Sequence, residues 1–125
     1  MKKKGLFMAI VAISMIACKK EEDSESPIIT IISPTENMTF EDSISINFKI
    51  EDMDLHEAGF TIVKKGTTDT LYDLPMDHTH ESTFLINEKL KIAVTSHLSA
   101  TLTVNAADHN ENKSTKSVDF NIHPM

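Results

Sequence analysis

Ser43-Ile44-Ser45-Ile46-Asn47-Phe48-Lys49-Ile50 alternates polar and apolar residues without a break. Successive side chains of an extended chain point to opposite faces, so this stretch lays Ile44, Ile46, Phe48 and Ile50 on one side and Ser43, Ser45, Asn47 and Lys49 on the other. It predicts a strand over 43–51 with one buried face. The same period of two runs through Phe60 and Ile62, Phe84 and Ile86, and Leu90, Ile92 and Val94. It returns in Leu102, Val104 and Ala106, and in Val118, Phe120 and Ile122. Turn residues separate the runs, and no segment reads as a long helix.

Seven short strands are expected, over 28–33, 43–51, 59–65, 69–74, 83–94 (with a break near Asn87-Glu88), 100–107 and 115–122. So many strands in about 100 residues, with turn signals at regular spacing, favour an all-β chain folded as an antiparallel β-sandwich over a barrel or a mixed fold. Lys65-Gly66-Thr67-Thr68 is expected to close a hairpin, with Gly66 supplying a positive φ. The domain is placed at residues 27–125.

Ahead of it, Lys2-Lys3-Lys4 and the apolar run Gly5 to Ala17 have the charged and hydrophobic regions of a secretory signal. Thirteen helical residues reach about 20 Å, short of the roughly 30 Å of hydrocarbon that a span must cross. Met15-Ile16-Ala17-Cys18 resembles the lipobox of bacterial lipoproteins. By that resemblance residues 1–17 are a signal peptide removed on export, Cys18 carries the lipid, and the chain is anchored to a membrane. Several acyl chains on one residue suffice for stable anchoring, at about 0.8 kcal/mol per buried CH2. Lys19-Lys20-Glu21-Glu22-Asp23 resembles the acidic export tag of surface-exposed lipoproteins of the Bacteroidetes, which implies the outer leaflet of the outer membrane. Residues 18–26 otherwise read as a polar tether, since Lys19 to Ser26 contains nothing apolar.

Within the domain, three segments resemble bacterial Ig-like domains, above all those of small Bacteroidetes lipoproteins whose Ig-like domain has no assigned function. They are Pro27-Ile28-Ile29-Thr30-Ile31-Ile32-Ser33-Pro34, Glu51-Asp52-Met53-Asp54, and Val104-Asn105-Ala106-Ala107-Asp108-His109-Asn110-Glu111-Asn112. The likeness covers most of 27–123 and implies an Ig-like sandwich of about seven strands. Glu111 departs from it, standing where such domains often have glycine.

Charge narrows the partners. The chain of 125 residues has a formal charge of −7; without Lys2, Lys3 and Lys4 the remainder sets 9 lysines against 19 acidic residues, or −10. Such a balance repels nucleic acid and anionic lipid, and the absence of arginine removes the side chain best suited to bidentate phosphate recognition. No tryptophan and a single tyrosine, Tyr72, leave little for stacking sugars. Cys18 is the only cysteine, so no disulfide forms within the chain, and burial with strand pairing must hold the domain together.

Six histidines carry what chemistry there is. In Asp77-His78-Thr79-His80-Glu81, two histidines two apart in an extended segment point the same way and reach one metal, though two ligands do not complete a tetrahedral site. If the strands run in Ig order, the loop after 43–51, the segment after 69–74 and the loop before 115–122 share one pole. That pole gathers Asp52, Asp54 and His56; Asp77, His78, His80 and Glu81; and Asp108, His109 and Glu111. Imidazole with carboxylate suits zinc or copper better than calcium. The candidate metal residues are therefore His56, His78, His80, His109, Asp54, Asp77 and Asp108, with His97 and His123 at the opposite end. The competing interpretation is that polar loops of an acidic domain simply expose such residues. In the family of the resemblance histidines are also common just before the fifth strand, which carries onto His78 and His80.

Catalysis has less to stand on. No Gly-x-Ser-x-Gly elbow, phosphate-binding glycine loop or His-Glu-x-x-His helix occurs. A hydrolase would need a bound metal to activate water, and one small sandwich offers little cleft to exclude solvent. The expectation is a non-catalytic binding or accessory module at the cell envelope. Zinc or copper binding by the histidine pole is the first alternative, and a structural spacer in an outer-membrane complex the second. A divalent metal, an envelope protein and the membrane itself are the partners considered.

Overall fold

The computed structural model describes residues 25–41 and 43–124; Cys18, the signal segment and most of the tether lie outside them. Eight strands follow one another: β1 (Ile28–Ser33), β2 (Thr39–Phe40), β3 (Ser43–Glu51), β4 (Leu55–Lys64), β5 (Thr70–His78), β6 (Thr83–Lys91), β7 (Leu98–Asp108) and β8 (Lys113–Ile122). They form a three-stranded sheet in the order β1-β3-β6 and a five-stranded sheet in the order β2-β8-β7-β4-β5. All pairs are antiparallel except β2 with β8. The fold is the Ig-like β-sandwich.

The alternation in β3 is the axis of the core. Ile44, Ile46, Phe48 and Ile50 are buried and the residues between them are not. Opposite them the inner face of the larger sheet presents Phe60, Ile62, Leu102, Val104, Phe120 and Ile122, all buried. Phe48 meets Phe60 edge to face at 5.5 Å between ring centroids, the arrangement in which a ring edge faces a π cloud. Removing a side chain of this size from water contributes about 1.5–3 kcal/mol, so this cluster is the main source of stability in a disulfide-free domain.

The first two strands expected from sequence have the observed bounds, and Gly66 has the expected positive φ of 76°. Other bounds differ. The strand expected at 83–94 ends at Lys91 and runs unbroken through Asn87-Glu88, because Asn87 and Glu88 pair with Asn47 and Ile46. Ile92 and Val94 still pack on the core beyond the strand's end. The two-residue β2 was not expected. It arises because the chain leaves the small sheet at buried Pro34 and meets β8, where Asn121 N–H donates to Met38 O and His123 N–H to Phe40 O.

The corrections that matter for function are at β4 and β5. The strand expected at 59–65 begins at Leu55, and the one expected at 69–74 continues to His78. Both extensions carry histidines out of loops and into the end of the five-stranded sheet.

Candidate functional site: a histidine cluster at one pole

Three elements converge at the end of the sandwich formed by the start of β4, the end of β5 and the turn between β7 and β8. The β4 strand follows a tight turn in which Asp54 N–H donates to Asp52 Oδ1 at 2.7 Å. Leu55 is buried opposite Asp108, and Glu57 stands opposite Ala107, so His56 is an extra residue with no partner of its own on β7. Such a bulge re-aims side chains. Counting back by twos from buried Ile62, Phe60 and Ala58 would turn His56 toward the core; the bulge gives that place to Leu55 and leaves His56 half-buried at the surface.

A second bulge acts on β5. Phe60 pairs with Leu74 but Ala58 pairs with Asp77, so β5 spends three residues where β4 spends two. Tyr72 and Leu74 lie partly buried against the core, and alternation from them would send His78 the same way. The bulge reverses the parity, and His78 stands opposite Glu57 instead. Gly59 makes this possible, as a Cβ there would lie 2.6 Å from Leu74 O and 2.8 Å from both Pro75 C and Met76 N. Backbone cannot yield as a flexible side chain can. Thr79 N–H then donates to His56 O at 2.9 Å, closing β5 onto β4.

The third histidine comes from the turn after β7, which Asp108 organises. Its carboxylate, in a residue only 2% exposed, accepts from the N–H groups of Asn110 and Asn112 at 2.9 and 2.8 Å and from Asn112 Nδ2 at 2.9 Å. Glu111 adopts a φ of 66° to close the turn. His109 is thereby presented to Asp54: its backbone N–H donates to Asp54 O at 3.1 Å. Its ring Nδ1 lies 3.0 Å from the same oxygen and 2.9 Å from Asp54 Oδ1. Two acceptors in front of Nδ1 favour the tautomer with its hydrogen there, and in a neutral ring of that tautomer the lone pair is on Nε2.

The result is a row of imidazoles. His56 sits between His78, at 4.5 Å between ring centroids, and His109, at 4.2 Å, with interplanar angles of 47° and 43°. Glu57, directly across from His78, shares its face of the sheet, and its side chain makes no hydrogen bond or ion pair among the described residues.

Of the seven candidate metal residues, His56, His78 and His109 meet, and Asp54 holds one of them. Asp77 is exposed and accepts from the N–H of its neighbour His78 at 2.8 Å. Two placements need correcting. His80 does not accompany His78, because β5 ends at His78 and the next residues turn toward β6; it is exposed and joins no ring of the cluster among the described residues. Asp108 points its carboxylate into its own turn rather than to the pole's surface, because the N–H groups of Asn110 and Asn112 converge on it there. Glu57, not among the seven candidates, takes a place beside the histidines. Only its register against His78 could have revealed it. His97 and His123 lie at the opposite end as expected and contact each other, 4.3 Å between ring centroids.

Around the pole the surface is open. Three hollows among the described residues hold about 310 to 440 Å³ each, and one of them, lined by Glu57, Met76, Ala107 and Lys113, lies beside the cluster.

No family model matches the chain. No curated protein matches it. Among solved structures it is similar to an engineered protein determined by crystallography, with 13% identity and a TM-score of 0.48. The alignment covers 80% of this chain and 20% of that one, so the chain spans about a fifth of that protein's length.

Proposed function

We propose that the chain is a lipid-anchored protein of the bacterial cell envelope whose Ig-like domain is a non-catalytic binding module, with the histidine pole as its binding surface. The observation that carries this reading is the position of His56 between His78 and His109, from three separate elements, on a surface the core does not need. The hydrophobic cluster is complete without them, and two bulges divert both sheet histidines outward. Groups that polar and that close together at an open pole suit recognition of something outside the domain. Export and anchoring through Cys18 rest on the lipobox-like Met15-Ile16-Ala17-Cys18, and surface display on the acidic stretch after it.

A second reading, favoured by the same three rings, is that the pole takes a divalent transition metal.

The test is made in cells. Cys18→Ser should move the protein from the membrane fraction to the soluble one, and protease added to intact cells should remove the wild-type domain. Cross-linking in the envelope should trap a defined partner with the wild type and not with a His56→Ala/His109→Ala variant present in equal amount. A partner trapped equally by both would make the domain a spacer instead.

A further inference from the structure

We infer that His56, His78 and His109 form a site for one zinc or copper(II) ion, with Asp54 orienting His109 and Glu57 as the carboxylate beside the fourth position. This rests on the reading of the histidine pole as the binding surface and names what that surface takes.

Imidazoles that share a tetrahedral ion at nitrogen distances of about 2.0–2.1 Å have their centroids roughly 5 Å apart. His56 lies 4.5 Å from His78 and 4.2 Å from His109, each within an ångström of this, but His78 and His109 flank it without touching each other among the described residues, so one flanking ring must swing in to complete a three-ligand set. Among the described residues no three donor atoms already surround a point that an ion would fill. Both flanking rings are packed against His56, so loading the site turns the rings about their side-chain torsions. All three belong to residues that are half-buried or exposed, and side chains at such positions change rotamer without disturbing the core. The backbone is already fixed by the β4–β5 pairing, by Thr79 N–H on His56 O and by His109 N–H on Asp54 O.

The second observation is the state of His109. Histidines that ligate metals nearly always donate their other ring N–H to a carboxylate or carbonyl, which fixes the tautomer and makes the ligating nitrogen more basic. His109 Nδ1 meets both kinds of acceptor on one residue, at 2.9 Å to the carboxylate and 3.0 Å to the carbonyl of Asp54.

The third is the neighbouring charge. Asp54 holds His109, Glu57 stands across from His78, and Asp77 precedes it, so carboxylates accompany the imidazoles at this pole. Nitrogen-rich ligation with one carboxylate selects zinc or copper(II) over calcium and magnesium, which require oxygen. Three protein ligands and an accessible fourth position leave room for Glu57, for water, or for a donor from a partner bound at the same pole.

The experiment is titration of zinc chloride, and separately copper(II) chloride, into the full-length protein purified from membranes in detergent at pH 7.5. One equivalent should bind. His56→Ala, His78→Ala and His109→Ala should each weaken binding at least about 10-fold, and Asp54→Asn about 10-fold through loss of orientation. His80→Ala and the His97→Ala/His123→Ala pair should leave the affinity unchanged. At pH 5.5, below the ordinary imidazole value of about 6.5, protons should displace the ion. The thermal midpoint of each variant, measured in chelator, checks that the fold is intact, and copper(II) resonance spectra should show nitrogen coupling that His56→Ala reduces. Absence of stoichiometric binding, or affinity that survives His56→Ala, overturns the inference. If binding is absent while partner cross-linking still depends on the pole, the metal inference alone falls; if both are absent, the binding-surface reading falls with it.

Discussion

Gly59 and Leu74 approach each other more closely than any side chain at position 59 permits, because a Cβ on Gly59 would sit 2.6 Å from Leu74 O. This contact is where β5 takes its extra residue, and the extra residue is what turns His78 outward to face His56. A packing constraint at a buried glycine thus sets the position of an exposed imidazole. Gly59→Ala should cost about 1–3 kcal/mol of stability, the usual penalty of overpacking where backbone must give way. Denaturant unfolding measures it, and a loss under about 0.5 kcal/mol, the range of neutral surface changes, would show that β5 relaxes freely at this point. The same variant should shift the His78 ring resonances, since β5 cannot keep its bulge.

Glu111 closes the turn between β7 and β8 with a φ of 66°, where a Cβ crowds the following carbonyl. Relief of that crowding is worth roughly 1–2 kcal/mol, and glycine's greater freedom in the unfolded chain returns about 0.5–1 kcal/mol of it. Glu111→Gly should therefore stabilise the domain by about 0.5–1 kcal/mol, and Glu111→Ala should not. Equal unfolding midpoints for the two variants would show that the turn, held by Asp108, absorbs the strain.

Asp119 links stability to acid pH. Its carboxyl is held below the ordinary value of 3.8, first by the hydrogen bond from Thr101 Oγ1 at 2.7 Å and then by Lys65, whose Nζ lies 3.3 Å from Oδ2, against a partial desolvation that acts the other way. A carboxylate with a depressed folded value stabilises the fold above its unfolded value, and that contribution is lost as pH falls through the folded value. Asp119→Asn should accordingly be less stable than the wild type near neutrality, by no more than about 1 kcal/mol since solvent and salt screen the pair. The difference should shrink as pH drops below about 4. A gap that stays constant down to pH 2 would mean the asparagine acts by packing rather than by charge.

Much of the fold was legible in the alternation of apolar residues. Ser43 to Ile50 specified a strand and its inner face, because a two-residue period leaves one way to bury Ile44, Ile46, Phe48 and Ile50. The turn at Gly66 was equally plain, as glycine is the residue that takes a positive φ without cost. The gathering of His56, His78 and His109 at one pole also followed from sequence, once the strands were placed in Ig order.

The details of that pole did not. His78 and His80 look alike in sequence, two residues apart in a polar segment, and alternation treats them as a pair. Where β5 stops is set by its register against β4, and the register includes a bulge permitted by Gly59. Alternation likewise would have turned His56 inward, and the unpaired residue at the start of β4 reverses it. Glu57 gained its place beside the histidines, and Asp108 lost its own to the turn it holds, for the same reason. The sequence by itself determined seven of the eight strands and the faces that their apolar runs bury, because hydrophobic burial follows a local period. Only the tertiary structure decided which polar side chains meet, because a single extra residue in a hydrogen-bonded ladder exchanges inside for outside, and pairing between distant strands determines where it falls.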